Sequence, residues 1–265
     1  MYPRLIIHTN QLLENARKMV ALAKKNHIDY VMGIVKVFAG HLDFIDDFAE
    51  TGITHIGDSR IQNLKKMKDI ALPKVLVRLP MISEIDEVVE HCDISLNSEI
   101  KTIRALNQAA NNAKKTHQII LMFDLGDLRE GIYYKSSHQK AVEEILSMSH
   151  IKLLGIGTNL TCYGGLVPNE EVLQRLISIK NTIEADHHYH LELISGGNSS
   201  TVTLFNKDII PQGINSLRLG ESIFFGNETS YSTLLEGFNH DNFLFEAEII
   251  ECKMKPSMPD GQTSI

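Results

Sequence analysis

Lys36 directly follows an apolar run, residues 30–35 (Tyr-Val-Met-Gly-Ile-Val), which the hydrophobic pattern predicts as a buried strand. Because a lysine at the end of such a strand is partly removed from water, we expect its pKa to be lowered and its amine to act as a nucleophile. An amine of this kind suits Schiff-base chemistry with an aldehyde cofactor. The alternative is that the side chain of Lys36 simply extends into water.

Two later segments combine glycines with groups that bind anions. In residues 195–200 (Ser-Gly-Gly-Asn-Ser-Ser), backbone N–H groups and hydroxyls can cradle a phosphate, although Gly/Ser loops are also common without a ligand. In residues 217–221 (Leu-Arg-Leu-Gly-Glu), Gly220 permits close approach of the backbone to a ligand. Arg218 can pair with a phosphate or a ring nitrogen, or form a salt bridge with Glu221 or another carboxylate.

Two polar segments follow other apolar runs. In residues 124–131 (Asp-Leu-Gly-Asp-Leu-Arg-Glu-Gly), Arg129 can bind a substrate carboxylate through two N–H groups, or belong to a turn with its own ion pairs. In residues 157–165 (Gly-Thr-Asn-Leu-Thr-Cys-Tyr-Gly-Gly), Asn159 and Tyr163 are candidate ligand contacts. Cys162 is either an acid/base thiol or a buried, unreactive cysteine.

The elements that must position these groups alternate between strand and helix from about residue 30 to residue 220. Eight apolar runs alternate with helical patterns, which predicts parallel strands in an α/β fold, a (β/α)8 TIM-like barrel. An open doubly wound sheet is the alternative. We favour the barrel because it brings the polar residues that follow its strands together at one end. These residues are Lys36, Asp58, Arg78, Asn97, Asp124, Asn159, Ser195 and Arg218.

The two ends of the chain follow a different pattern. Residues 243–253 alternate between apolar and polar side chains, which predicts a half-exposed strand. A lone strand is not stable, and the strand predicted at residues 6–7 can pair with it. We therefore expect a barrel domain at residues 9–240. Residues 241–265, together with 1–8, are expected to begin a C-terminal β-domain whose remainder is missing.

The bulk composition narrows the choice of partners and compartment. The net charge of −7 and the lack of a long basic run argue against nucleic acid, and no apolar run approaches the length of a membrane span. Three widely spaced cysteines fit reduced thiols in the cytoplasm. His187, His188 and His190 straddle a predicted helix end and strand start, so their side chains diverge and we expect no metal site.

Four segments, taken in chain order, resemble the alanine racemase superfamily, namely residues 35–37, 124–131, 195–199 and 217–221. Its members are pyridoxal 5′-phosphate (PLP) enzymes with an N-terminal barrel and a C-terminal β-domain. The motifs Val-Lys-Val-Phe-x-Gly from residue 35, residues 124–132, residues 155–165 and residues 195–200 are most similar to the ornithine racemase branch. The resemblance extends over nearly the whole chain.

The resemblance implies a set of cofactor contacts. Lys36 would form the internal aldimine with PLP and act as one of two racemising bases. Ser199 and the backbone of Gly220 and Glu221 would hold the phosphate. Arg218 would face the pyridine nitrogen and keep it unprotonated.

The resemblance also implies the substrate contacts and exposes two departures from the family. Asn159 stands where alanine racemases place a histidine beside the ring, and Arg129 would lie near the substrate carboxylate, with Cys162 and Tyr163 close by. Gly40 occupies the position of a family tyrosine. The family's second base is a tyrosine from the C-terminal domain of a partner subunit, and that domain is expected to be missing here. Cys162, or a swing of Lys36, would then have to handle the proton on the other face of the substrate.

Together these expectations describe a PLP-dependent amino-acid racemase that interconverts L- and D-amino acids, with ornithine as the expected substrate. It would remove the α-proton from an external aldimine and form a homodimer when full length. A PLP-binding homeostasis protein without turnover is the main alternative. A metal-assisted PLP aldolase or dehydratase and a sugar-phosphate TIM-barrel enzyme are two further ones. The acid that would pair with an ornithine ammonium group is left open among Asp58, Asp127, Glu130 and Glu221.

Overall fold

A computed structural model of the chain describes residues 2–41 and 43–264. Its strands are β1 (Arg4–Ile7), β2 (Tyr30–Ile34), β3 (His55–Asp58), β4 (Lys74–Leu76), β5 (Ile94–Asn97), β6 (His117–Asp124), β7 (Ile132–Tyr133), β8 (Ile151–Gly157), β9 (Leu193–Ser195), β10 (Ser216–Leu219) and β11 (Phe243–Glu246). Its α-helices are α1 (Thr9–Lys25), α2 (Ile45–Ala49), α3 (Ile61–Lys66), α4 (Ile85–His91), α5 (Ile100–Asn112), α6 (Gln139–Ser147), α7 (Glu170–His187) and α8 (Glu221–Phe224). Short 3₁₀ helices cover Lys36–Phe38, Ile82–Glu84 and Ser199–Leu204.

Eight of the described strands form a closed parallel ring, in the order β2, β3, β4, β5, β6, β8, β9, β10. The ring closes because β10 pairs with β2, with Leu217 opposite Val31, and because β5 pairs with β6, with Ser95 opposite Ile119. The predicted barrel is therefore confirmed, and the open doubly wound sheet is excluded. The carboxyl ends of all eight strands consequently lie at one end of the barrel.

Alternation of side chains along each strand produces two apolar layers. In β6, for example, Ile120 and Met122 point into the barrel, whereas Ile119, Leu121 and Phe123 pack in the larger layer beneath the surrounding helices. The inner layer consists of Met32, Ile34, Val75, Ile94, Leu96, Ile120, Met122, Leu154 and Leu193. This filled interior gives the strand ends a rigid base.

The strands β1 and β11 form a separate antiparallel pair, with Ile7 opposite Phe243. The predicted pairing of the two chain ends is thus observed, but β11 stops at Glu246 rather than continuing to residue 253. Its partner strand β1 begins at Arg4, which lies opposite Glu246, and among residues 2–41 and 43–264 no further strand pairs with the residues after Glu246. These residues adopt no regular structure up to residue 264. The proposed domain boundary stays a prediction, and its outermost residues, 1 and 265, lie outside the described chain.

Candidate active site

A cavity of about 210 Å³ opens at the carboxyl ends of the barrel strands. Eight of the nine site residues selected from the sequence line it, namely Lys36, Arg129, Asn159, Cys162, Ser199, Arg218, Gly220 and Glu221. Ile34, Val77, Thr161, Asn198 and Thr229 complete the lining. Residues separated by up to 195 positions in the chain, Ile34 and Thr229, therefore meet at one site.

Lys36 stands at the mouth of this cavity. The last buried strand residue is Ile34, and Lys36 begins a single 3₁₀ turn beyond it, so the lysine side chain is exposed. This exposure matches the alternative in which the lysine side chain extends into water, and β2 ends one residue before the end of the apolar run. In the described chain no carboxylate lies within 4.0 Å of the Lys36 amine, which leaves that amine unpaired at the cavity.

Arg218 is the buried cation of the site, with 4% of its surface exposed. Its Nη1 donates to Ser195 Oγ at 2.5 Å, and its Nη2 donates to Thr158 O at 2.5 Å and to Asn159 Oδ1 at 2.6 Å. Burial lowers the pKa of Arg218 to about 10, although the negative charge of Glu130 acts to raise it. The guanidinium therefore stays charged at neutral pH. The predicted alternative of a salt bridge to Glu221 is wrong, because the Glu221 carboxylate accepts a hydrogen bond from Asn227 instead.

A chain of polar contacts connects Arg218 to Cys162 through Asn159, Glu130 and Arg129. Asn159 Nδ2 donates a short hydrogen bond to the Glu130 carboxylate, and Glu130 Oε2 lies 2.6 Å from Arg129 Nε. Arg129 Nη1 in turn lies 2.5 Å from Cys162 Sγ. The ion pair of Arg129 with Glu130 matches the alternative in which Arg129 belongs to a turn with its own ion pairs. Arg129 still lines the cavity, so one guanidinium can belong to the turn and face a ligand.

The glycine- and serine-rich segments meet at the carboxyl end of β10. Ser199 Oγ donates to Ser222 Oγ at 3.1 Å and accepts from the Ser222 N–H at 3.1 Å. A Cβ on Gly220 would fall 2.8 Å from Ile34 O, so the backbone needs glycine at this close approach. Asn198 accepts from the Ser200 N–H at 2.8 Å, which fixes the start of the 3₁₀ turn that carries Ser199.

Some expected residues lie elsewhere or differ in environment. Tyr163 is 77% exposed and is not among the described residues that line the cavity. Cys162 is exposed, so the buried interpretation of this cysteine is wrong. Gly40 has φ +79°, and a Cβ there would lie 2.9 Å from Asn63 Oδ1, so this backbone leaves no room for the family tyrosine.

Two of the four candidate acids are fully buried. Asp58 Oδ1 accepts from the Arg60 N–H and from Asn63 Nδ2, and burial raises the pKa of its carboxyl. Asp127 is occupied by backbone N–H groups. Neither carboxylate lines the cavity, whereas Glu221 lines it and Glu130 contacts Asn159 and Arg129, which also line it.

Sequence reasoning missed Thr229, which lies beyond the last barrel strand in a loop without a recognisable motif, and it gave no role to Asp127 as a structural anchor. Across residues 2–41 and 43–264, no three His, Cys, Asp or Glu side chains cluster as metal ligands. None of the helices in that part of the chain has the length and apolarity that a membrane span requires.

Comparison with known proteins gives consistent results. Residues 7–228 match the family described as alanine racemase, N-terminal domain. The chain is 40% identical over 265 residues to an ornithine racemase of Acetoanaerobium sticklandii, covering all of this chain and 75% of that protein. It is 38% identical over 267 residues to a lysine racemase of Thermotoga maritima, covering all of this chain and 74% of that protein.

Solved structures share the fold at low sequence identity. An alanine racemase of Clostridium difficile 630, in complex with cycloserine, superimposes with a TM-score of 0.70 at 15% identity, over 84% of this chain and 62% of that one. A D-threonine aldolase of Filomicrobium marinum gives a TM-score of 0.73 at 14% identity, over 92% and 69%. The chain thus spans about three quarters of the curated relatives and less than two thirds of the alanine racemase structure.

Proposed function

The chain belongs to the alanine racemase N-terminal domain family, and from this membership we propose that it is a PLP-dependent racemase of basic amino acids, with ornithine as the preferred substrate. The observation that carries the proposal is the convergence of Lys36, Arg218 and Ser199 on one cavity at the carboxyl ends of the barrel strands. These residues come from three separate strand–loop junctions, and only the closed barrel brings them together.

The donor set of the cavity fits PLP. The unpaired amine of Lys36 suits an aldehyde, and the guanidinium of Arg218 suits an unprotonated ring nitrogen, to which it can only donate. Ser199 and the backbone at Gly220 and Glu221 would hold the phosphate, at a point where a side chain on Gly220 would collide with Ile34 O. Asn159 lies against Arg218 and would contact the ring from the side.

When bound, PLP withdraws electrons from the substrate Cα, so that the α-proton becomes removable. Lys36 then takes or returns that proton on one face of the substrate, because its amine is unpaired and lines the cavity. Arg129 receives the substrate carboxylate, while its ion pair with Glu130 holds the guanidinium in place. Racemisation needs a second group on the opposite face, and Cys162 is our candidate because its thiol lies 2.5 Å from Arg129.

The preference for a basic substrate rests on the two curated relatives, which are named for ornithine and for lysine. Both amino acids carry a terminal ammonium group, which requires an acidic or polar partner. Glu130 and Glu221 are the two candidate acids that burial does not exclude. A homodimer of the full-length protein, acting on a free amino acid, completes the proposal.

The first experiment compares the wild-type chain with Lys36→Ala, each mixed with PLP. We expect a visible absorbance band and a borohydride-trapped adduct at Lys36 in the wild type alone, together with racemisation of ornithine faster than that of lysine or alanine. A Lys36→Ala variant that still racemised ornithine would contradict the assignment. Bound PLP without turnover of any amino acid would favour a PLP-binding homeostasis protein.

A further inference from the structure

Asp127 is a fully buried carboxylate in the loop that follows β6, two residues before Arg129, which lines the cavity. Its Oδ2 accepts the N–H groups of Cys162 at 3.1 Å and Tyr163 at 2.9 Å, and its Oδ1 accepts the Leu166 N–H at 2.8 Å. Its own carbonyl accepts the N–H of Gly164 at 2.8 Å. One residue therefore binds four backbone N–H groups of a loop that follows β8 in the chain.

The loop formed by residues 161–166 (the Cys162 loop) has few other attachments. Thr161 closes it by donating both its N–H and its Oγ1 to Leu166 O, and Thr161 Oγ1 lies 3.5 Å from Ser230 Oγ. Residues 162–165 are exposed, so no apolar packing holds them. Because hydrogen bonds from N–H groups to an ionised carboxylate are stronger than those between neutral groups, Asp127 supplies most of the interactions that hold this loop.

The attachment has a direct consequence for the cavity. Asp127 and Arg129 are two residues apart on one loop, and the Cys162 loop is bound to that same segment. This arrangement brings Cys162 Sγ to 2.5 Å from Arg129 Nη1, and both side chains line the cavity. If the Cys162 loop were released, the thiol would lose its fixed position relative to Arg129.

We propose that Asp127 is a positioning residue, whose carboxylate holds the Cys162 loop on the β6 loop so that Cys162 and Arg129 face the substrate together. The expected kinetic effect rests on the proposed racemase function, whereas the attachment of the Cys162 loop by Asp127 does not depend on that function. The hydrogen bonds that Asp127 accepts from the Cys162 loop also explain why its carboxylate is unavailable to a substrate ammonium group.

Asp127→Asn tests the proposal with a nearly isosteric change. The amide replaces one acceptor oxygen by an NH₂ group, which faces an N–H donor and cannot accept from it, so at least one loop contact is lost. Gly164→Ala is a second, independent variant, because its Cβ would lie 2.6 Å from Asp127 O and push the loop away from the other side. Glu184→Gln is the matched control. The Glu184 carboxylate also accepts a backbone N–H, that of Leu191 at 2.9 Å, but Leu191 lies just before β9, at the opposite end of the barrel from the cavity.

The primary readout is hydrogen exchange measured by mass spectrometry on the wild-type chain and the three variants. We expect peptides spanning residues 160–167 to exchange at least about tenfold faster in Asp127→Asn and Gly164→Ala, with helices α1, α5 and α7 unchanged. Glu184→Gln should leave that segment as in the wild type. Unchanged exchange of residues 160–167 in Asp127→Asn would overturn the proposal.

The second readout is steady-state kinetics with PLP bound. We expect Asp127→Asn to raise KM for the amino acid by about tenfold or more while the absorbance of bound PLP is retained. Faster exchange of the loop with wild-type KM and kcat would overturn the positioning role. If the wild-type chain racemises no amino acid, the proposed function fails, and the exchange experiment still decides whether Asp127 holds the loop.

Discussion

Arg218 donates a hydrogen bond to Asn159, with its Nη2 2.6 Å from Asn159 Oδ1. The other end of the same amide donates to the Glu130 carboxylate, so the two neighbours fix the orientation of the amide between them. Asn159 thereby links the buried cation of the site to the ion pair of Arg129 with Glu130. The contact is possible because Asn159 follows β8, Arg218 belongs to β10, and only β9 separates these two strands in the ring.

Replacement of Asn159 by alanine should weaken catalysis without removing the cofactor. Arg218 would lose one of three acceptors and Glu130 would lose a donor, while Lys36 and Ser199 would be unaffected. The loss of one such buried hydrogen bond costs about 1–3 kcal/mol, which corresponds to a fall in kcat of about 5-fold to 160-fold. Steady-state kinetics beside PLP titration measures both quantities, and a loss of PLP binding with unchanged kcat would contradict this role.

His117 should make the stability of the barrel sensitive to acid. It is 2% exposed, and its Nε2 lies 2.8 Å from Ser95 Oγ; burial lowers its pKa to about 4, with Asp93 opposing the shift and Lys115 adding to it. Since the unfolded chain has a pKa near 6.5, it binds more protons than the folded chain between pH 6.5 and 4. The free energy of unfolding is therefore expected to fall as the pH falls through this window, by about 2 kcal/mol at pH 5 from this residue.

Urea unfolding at pH 7.5 and pH 5 measures this effect in the wild type and in His117→Gln. The glutamine retains a hydrogen-bonding group toward Ser95 but does not titrate. The variant should lose about 2 kcal/mol less than the wild type between the two pH values. Equal losses in both proteins would show that His117 is not the responsible group and would direct attention to His55, whose pKa is also lowered by burial.

Much of this architecture was predictable because it depends on local pattern. Alternating apolar runs predicted the barrel. Of the eight polar residues selected at the strand ends, Lys36, Asn159 and Arg218 line the cavity and the other five do not. The contacts of Asp127 and Glu130 were not predictable, because they depend on how two loops fold over each other. Leu128 at φ +59° and Thr161 at φ +52° adopt left-handed conformations that their residue types do not indicate.

Restoration of the family tyrosine by Gly40→Tyr should destabilise this chain. Gly40 has φ +79°, and a Cβ there would lie 2.9 Å from Asn63 Oδ1 and 3.0 Å from Lys66 Cδ. The strained backbone alone costs about 1–2 kcal/mol. Thermal unfolding should therefore show a lower Tm for Gly40→Ala and for Gly40→Tyr. A Tm equal to that of the wild type in Gly40→Tyr would mean that the segment can rearrange to accept the tyrosine.

Cys162→Ser tests whether the thiol handles the proton on the second face of the substrate. A hydroxyl is a much weaker acid than a thiol, so racemisation should fall by about a hundredfold or more, while Lys36 continues to act on its own face. In deuterated solvent, one ornithine enantiomer should then exchange its α-proton without inversion, and the other should not. If racemisation and exchange of both enantiomers stay at the wild-type rate, Cys162 does not carry the proton. That outcome would leave the second face to a swing of Lys36 or to a group outside these 265 residues.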